Sequence, residues 1–426
     1  MKIAFVAQHW DEVDPRGGGS TSIAILTYQM ARHLTRSGEV LIYARRGHSQ
    51  QKVQLDEEGI HYRRKSVAVE DQVLKPFKVL DRLLGLCNRK RPFFASSLYY
   101  LGYALQVARD MRAQQPDVVH IHNFSQFVPI IRAFNPQAKI VLHMHCEWLT
   151  QLDPAMIERR LRQANLVIGC SEYITDKVRC RFPHLASRCQ TVCNGVDVDQ
   201  FIGGNGHREM GKEGKRLLFV GRVSPEKGVH VLLDAFQRVV EHDPLVRLDI
   251  VGPAGTIPFD FIVRVSDDQK VAELASFYGG ILRRGDYFSY LQRRLPSSLT
   301  DRVRFVGPVS NTRVADYYRD ADVLVNPSFS EAFGMSLVEA MACQVPVVAT
   351  RVGGAIEIVE GSQAGLLVEP GNATALAEAI LHLLEDDSLR KRMGEAGRKQ
   401  AMARYSWDQV TGQLLRLYEG MCGGSG

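Results

Sequence analysis

Two carboxylates eight residues apart bracket the run Glu331-Ala332-Phe333-Gly334-Met335-Ser336-Leu337-Val338-Glu339. Gly334 stands where a helix would begin, so Glu331 is expected in a loop and Glu339 about one turn or more into the helix. Between them, the free N–H groups of a helix N-terminus and its positive dipole suit phosphate oxygens. The plainer alternative is one helix-terminal carboxylate and one core-edge carboxylate. The apolar flanks Val323–Val325 and Ala340–Cys343 make two idle, solvated carboxylates less comfortable there. Upstream, Arg222-Val223-Ser224-Pro225-Glu226-Lys227-Gly228 follows a short apolar run, Leu217–Val220. Two cations five apart at a strand-to-helix turn can converge on one diphosphate and stabilise it as it departs. Taken alone, the same run is also what a solvated basic turn looks like.

His145 ends the apolar run Ile140–His145, and His120, His122 and His143 lie close by in sequence. Strand alternation places His120 with His122, and His143 with His145, on one face each. A zinc site, packed core histidines and a single catalytic histidine all fit. Zinc needs tighter convergence than this spacing promises, so no metal site is expected. His145 is the favoured catalytic candidate, acting by hydrogen bonding or proton transfer. Gly17-Gly18-Gly19 follows the first strand and opens a helix, so Gly18 and Gly19 are candidate phosphate-contacting residues; a flexible loop is the alternative. The spacing is not G-x-G-x-x-G, and the second strand ends Tyr43-Ala44-Arg45 with no acid for a ribose, which weakens a dinucleotide reading. Asp197-Val198-Asp199 and Asp320-Ala321-Asp322 read as structural rather than metal-binding. The eight cysteines contain no C-x-x-C pair and read as structural thiols of a reducing compartment.

Such residues need loops at the ends of strands. Short apolar runs alternate with helical stretches: Lys2–Ala7, Glu39–Ala44, Val118–Ile121, Ile140–His145 and Leu166–Cys170. The pattern then restarts with Arg216–Val220, Leu248–Val251, Val303–Val306, Val323–Val325 and Val345–Ala349. This predicts an α/β protein of two doubly wound units, joined near Asn194-Gly195-Val196-Asp197, with ligands at the carboxyl ends of strands and a cleft between the units. The chain of 426 residues is 45% hydrophobic, enough for a large core and against wholesale disorder. No window reaches the roughly 18–20 uninterrupted apolar residues of a membrane span, and Ile3–Ala7 is too short for a secretory leader. Residues 1–200 carry 27 Lys/Arg and 19 Asp/Glu, whereas residues 201–426 carry 26 and 28. The basic first half is expected to face something anionic.

In the order Asn194–Asp197, Gly221-Arg222 through Lys227-Gly228, Glu331 through Glu339, and Gly353-Gly354 ahead of Glu357, the chain resembles the retaining GT-B glycosyltransferases, family 4 in particular. The resemblance runs from residue 1 to about 420 and is strongest over 190–405. It implies two Rossmann-like domains facing across a cleft: an acceptor domain over 1–195 and a nucleotide-sugar domain over 196–405. A C-terminal helix over 406–420 would cross back to the first domain. It also implies that Arg222 and Lys227 hold the donor diphosphate and that Glu331 contacts the sugar hydroxyls. The Gly334, Met335, Ser336 and Leu337 backbone would support sugar and phosphate, Glu339 would bond the ribose, and His145 would be the active-site histidine. No cofactor or metal is implied.

The partners expected are a nucleotide-sugar, with UDP preferred over GDP or ADP, and a glycan or lipid-linked acceptor; nucleic acid is not expected. Two readings outside hexosyl transfer stay open: a nucleotide-sugar epimerase, and a non-catalytic nucleotide-sugar- or glycan-binding protein. Residues 253–300 are longer than the family pattern and read as an acceptor contact, an oligomer contact or a decorated surface insertion. The basic, aromatic-bearing stretch 75–100 reads either as peripheral contact with an anionic membrane or as a core helix with a charged outer face. A cytoplasmic protein is expected, with peripheral attachment to the inner face of a membrane as the variant of that reading.

Overall fold

A computed structural model of the chain describes residues 1–14, 21–48, 50–84, 87–203, 214–278 and 286–423, the side chains of 77–84 excepted. Gly17, Gly18 and Gly19 lie outside the described residues. The chain forms two compact units, Met1–Gly195 with Trp407–Gly426, and Val196–Ser406.

In the first unit the aliphatic runs become strands β1 (Lys2–Val6), β2 (Glu39–Arg45), β3 (Val53–Leu55), β4 (Ile60–Lys65), β5 (Val118–His122), β6 (Lys139–Met144), β7 (Leu166–Gly169) and β8 (Cys189–Thr191). They form one sheet in the order β3-β4-β2-β1-β5-β6-β7-β8. Every neighbouring pair is parallel except β3 with β4. Nearly continuous apolar runs suit such a sheet, because helices cover both of its faces. The β3–β4 hairpin escapes the sequence reading because three residues are too few to show a period. Its signal is the turn, where Asp56 Oδ1 accepts from the Glu58 and Ile60 N–H groups and Gly59 takes a positive φ. The helix Trp407–Gly423 completes this unit's core: Trp407, Val410, Leu414 and Tyr418 pack with Ile3, Phe5, Ile42 and Ile168.

The second unit contains β9 (Arg216–Val220), β10 (Arg247–Val251), β11 (Val303–Gly307), β12 (Val323–Asn326), β13 (Val347–Thr350) and β14 (Gly365–Val368), in the order β11-β10-β9-β12-β13-β14. All pairs are parallel. The direction of winding reverses between β9 and β12, as it does between β1 and β5 in the first unit. At such a switch the crossovers leave on opposite faces, and a crevice opens at the carboxyl ends of the strands. The β9–β12 ladder holds only Leu217 with Val323 and Leu218 with Leu324, so the last residues of both strands are free of one another.

Two expectations change. Residues 253–300 are not mere surface decoration, because Tyr287, Leu291 and Leu299 are buried in the core of the second unit beside Leu232 and Phe236. Nor do the aromatic residues of 93–100 form a membrane-facing set. Phe94, Tyr99 and Tyr100 are buried, and the Tyr100 ring stacks on His9 with centroids 3.6 Å apart. Their apolar area is already out of water inside the unit. The side chains of 77–86 lie outside the described ones. Among the described residues, no helix is long and apolar enough to cross a membrane.

Candidate active site

Two loops flank the switch point of the second unit, Gly221–Gly228 after β9 and Pro327–Gly334 after β12. The Lys227 ammonium lies 2.7 Å from Glu331 Oε2, with both side chains at least three-quarters buried. Ser328 Oγ, at 3.4 Å, and Asn326 Nδ2, at 3.5 Å, stand more loosely against the same oxygen. Ser328 Oγ also donates to Asn326 Oδ1 at 2.6 Å, and the Glu331 carbonyl accepts from the Gly354 N–H. The carboxylate is thus set by its backbone, by Lys227 of the other loop, by Ser328 of its own loop and by Asn326 at the end of β12. Gly228 has φ +69°, and a Cβ there would lie 2.0 Å from the Pro327 carbonyl oxygen, so the two loops close only over glycine.

Gly334, at φ +114°, begins the helix Met335–Ala342 without a side-chain cap. Its Met335 and Ser336 N–H groups are helix-start donors of the kind that take anions, whereas the Leu337 N–H already donates to the Gly334 carbonyl at 3.0 Å. Arg222 is exposed and makes no ion pair among the described residues. Glu226 between the two cations is buried; its carboxylate accepts from Ser224 Oγ at 2.5 Å and from the Tyr278 hydroxyl at 3.4 Å. Its carbonyl accepts from the Phe329 N–H, tying the two loops together. Tyr278 comes from the 253–300 segment, a contribution to the site that motif spacing could not reveal.

Glu339 sits in the second turn of the helix. Burial pushes its pKa up to about 7, although a 2.6 Å hydrogen bond donated by the Tyr318 hydroxyl works the other way. Tyr318 is a site neighbour missed in the sequence, where it is one of two adjacent tyrosines in a polar helix. Both D-x-D strings carry local hydrogen bonds. Asp197 Oδ1 accepts from the Asp199 and Gln200 N–H groups, and Asp322 Oδ2 accepts from the Arg216 N–H.

In the first unit β5 and β6 set His122 beside His143, and all four histidines gather at the carboxyl ends of these strands. His120 Nε2 meets His143 Nδ1 at 3.1 Å, His122 Nδ1 meets His145 Nε2 at 3.1 Å, and the Tyr418 hydroxyl meets His120 Nδ1 at 2.6 Å. Burial lowers the pKa of each histidine, that of His122 to about 3, so all four are neutral near pH 7. His145 alone of the four keeps solvent exposure. Its backbone N–H donates to Asn123 Oδ1 at 2.8 Å. Asn123 has a left-handed backbone, φ +60°, and donates to Gln8, which in turn donates to Asp11. Asparagine tolerates that conformation, which is the signal the sequence held. Ring nitrogens of His120, His122 and His143 lie within 4.8 Å of one another. Nitrogens around tetrahedral zinc sit about 3.3 Å apart, so these rings would have to close in to hold a metal.

Two doubly wound units, with cations and carboxylates at a switch point, have the layout expected of a GT-B glycosyltransferase. The family model described as glycosyl transferases group 1 matches residues 207–400, and that of glycosyltransferase family 4 matches residues 23–200. The phosphatidyl-myo-inositol mannosyltransferase of Mycobacterium leprae is 35% identical over 307 residues, 71% of this chain and 73% of that protein. The chain belongs to glycosyltransferase family 4. Among solved structures, sucrose-phosphate synthase from Thermosynechococcus elongatus superposes with a TM-score of 0.74 at 22% identity, covering 100% of both chains. Anabaena HepE in complex with UDP and glucose gives a TM-score of 0.67 at 20% identity, covering 98% of this chain and 99% of that one. At these identities the two likenesses speak for the fold.

Proposed function

We propose that this glycosyltransferase moves a hexose-type sugar from a UDP-sugar to a glycan, lipid-linked or other small acceptor, with retention of configuration and without a metal ion. The observation that carries the reading is the Lys227–Glu331 pair beside the uncapped helix N-terminus at Gly334. Arg222 and Lys227 neutralise the donor diphosphate, and the N–H groups of 334–336 receive phosphate and sugar oxygens. Glu331, oriented by its loop, accepts from sugar hydroxyls, and Glu339 accepts from the ribose. His145, being neutral, orients sugar or acceptor by hydrogen bonding rather than as a fixed cation.

As the bond from the anomeric carbon to the phosphate oxygen breaks, the acceptor oxygen bonds on the same face and its proton passes to the departing phosphate. Protein groups then supply orientation and electrostatics. UDP is favoured by the ligand in the Anabaena structure, and a lipid-linked acceptor by the name of the mycobacterial relative and by the basic first half. Retention rests on the order of the landmark motifs. With two cations on the diphosphate, a divalent ion has little left to neutralise. A cytoplasmic enzyme fits this donor.

The test is nucleotide release from UDP-, GDP- and ADP-sugars by wild type and Glu331→Ala, with and without EDTA. Release from a UDP-sugar, indifferent to EDTA and reduced at least ~100-fold in the variant, is expected. Failure of every nucleotide-sugar to bind in calorimetry overturns the reading, and conversion of the donor without nucleotide release favours an epimerase.

A further inference from the structure

A cavity of about 330 Å³ opens in the first unit, with Arg91, Arg159, Arg160, Ser96, Ser97 and Gln163 on its walls. Pro129 and Met156 supply an apolar side. Its volume lies at the low end of ligand-sized pockets, roughly 300–1,000 Å³, and exceeds what a bare oxyanion needs. Arg91 and Arg159 stand exposed, and Arg91 is paired with Asp153 at 3.1 Å.

Arg160 is different: it is only 5% exposed. Its guanidinium donates to the Ala95 carbonyl at 2.6 Å and to Ser125 Oγ at 3.2 Å, both neutral acceptors. No carboxylate pairs with it among the described residues. A buried cation without a counter-charge is costly unless something anionic completes it. Burial, with Arg159 nearby, pulls its pKa down to about 10, so it stays charged at neutral pH. The guanidinium fork matches the oxygens of a phosphate. Ser125, which Arg160 holds, lies two residues beyond Asn123, whose side chain receives the His145 backbone N–H. Arg160 is thus tied through Ser125 to the segment that follows β5.

We infer that the Arg160 cavity binds the phosphate group of a phosphorylated acceptor, with Arg91 and Arg159 at its rim. This assignment rests on the glycosyltransferase reading and names its acceptor as a phosphate ester. The ester could reach the cavity as a lipid headgroup or as a soluble sugar or polyol phosphate, and the chemistry recognised is the same.

Calorimetry on the full chain would titrate glucose 1-phosphate and glycerol 3-phosphate. Flotation would compare vesicles of phosphatidic acid mixed with phosphatidylcholine against phosphatidylcholine alone. The variants are Arg160→Met and, at the rim, Arg91→Gln with Arg159→Gln; UDP binding is measured on each as a check on folding and on the donor site. Saturable binding is expected, weakened at least tenfold by Arg160→Met and severalfold by the rim pair, with UDP affinity unchanged. Binding to phosphatidic acid vesicles alone assigns a lipid source, and binding of the soluble esters assigns a soluble one. No saturable binding by any probe, or equal binding by wild type and both variants, overturns the inference. If Arg160→Met fails to fold, the rim pair decides. Loss of UDP binding in wild type would strike the donor reading instead, a separate outcome.

Discussion

Among the described residues, Glu331 and Lys227 form the one contact that joins the two site loops through charge, and each holds the other in place. Replacing Lys227 by Ala leaves a mostly buried carboxylate facing weak neutral donors and removes a cation from the diphosphate. Single-turnover nucleotide release should fall ~100-fold or more, since loss of one preorganised charge-stabilising group costs about that much. Glu339 makes a pH prediction. Its folded pKa, about 7, lies above the ordinary value of 4.5, so its ionised form is disfavoured in the native state. This group's contribution to stability is therefore fully present below about 4.5 and is lost as pH rises through about 7. Ribose hydroxyls donate to the ionised form, so UDP affinity should decline as pH falls through about 7. Tyr318→Phe removes a donor that lowers this pKa, so the acid limb of a UDP-binding profile should move upward. An unmoved limb would assign it to another group.

The loop after β9 and the loop after β12 are elements built around a glycine contact. Gly228→Ala must place a Cβ 2.0 Å from the Pro327 oxygen at a left-handed φ, and should destabilise by about 2 kcal/mol or more. Gly420→Ala, in the last helix with nothing near its Cβ, should instead be neutral or stabilising by roughly 0.5–1 kcal/mol. Chemical denaturation of both variants checks the contrast. At this scale the sequence was partly legible. The E-x7-E run predicts a loop carboxylate, a helix beginning near Gly334 and a second carboxylate inside it, and the helix Met335–Ala342 forms there. The Glu226–Tyr278 contact was not legible, because 52 residues separate its partners and no period or motif marks them.

Over the whole molecule, the last helix belongs to the first unit's core although 211 residues of the second unit intervene in the chain. Tyr418 is fully buried and bonds His120. Tyr418→Ala opens a cavity and strands that bond, and should cost about 3–5 kcal/mol. The loss should appear in a thermal scan as an earlier transition of the first unit, with UDP affinity of the second unit retained below that transition. Tyr418→Phe should cost only about 1–3 kcal/mol, the share owed to an unpaired polar partner.

The amino-acid order by itself determined the α/β alternation, the restart of the pattern after Asn194 and the placing of cations and carboxylates at strand ends. Each of these is local, set by apolar periodicity or by spacing within one turn. Tertiary structure alone decided that Lys227 grips Glu331, that four histidines are neutral, and that the aromatics of 93–100 turn inward. It also left Arg160 buried without an acid. Charge state and burial depend on which distant segments exclude water from a side chain, and no window of sequence contains that information.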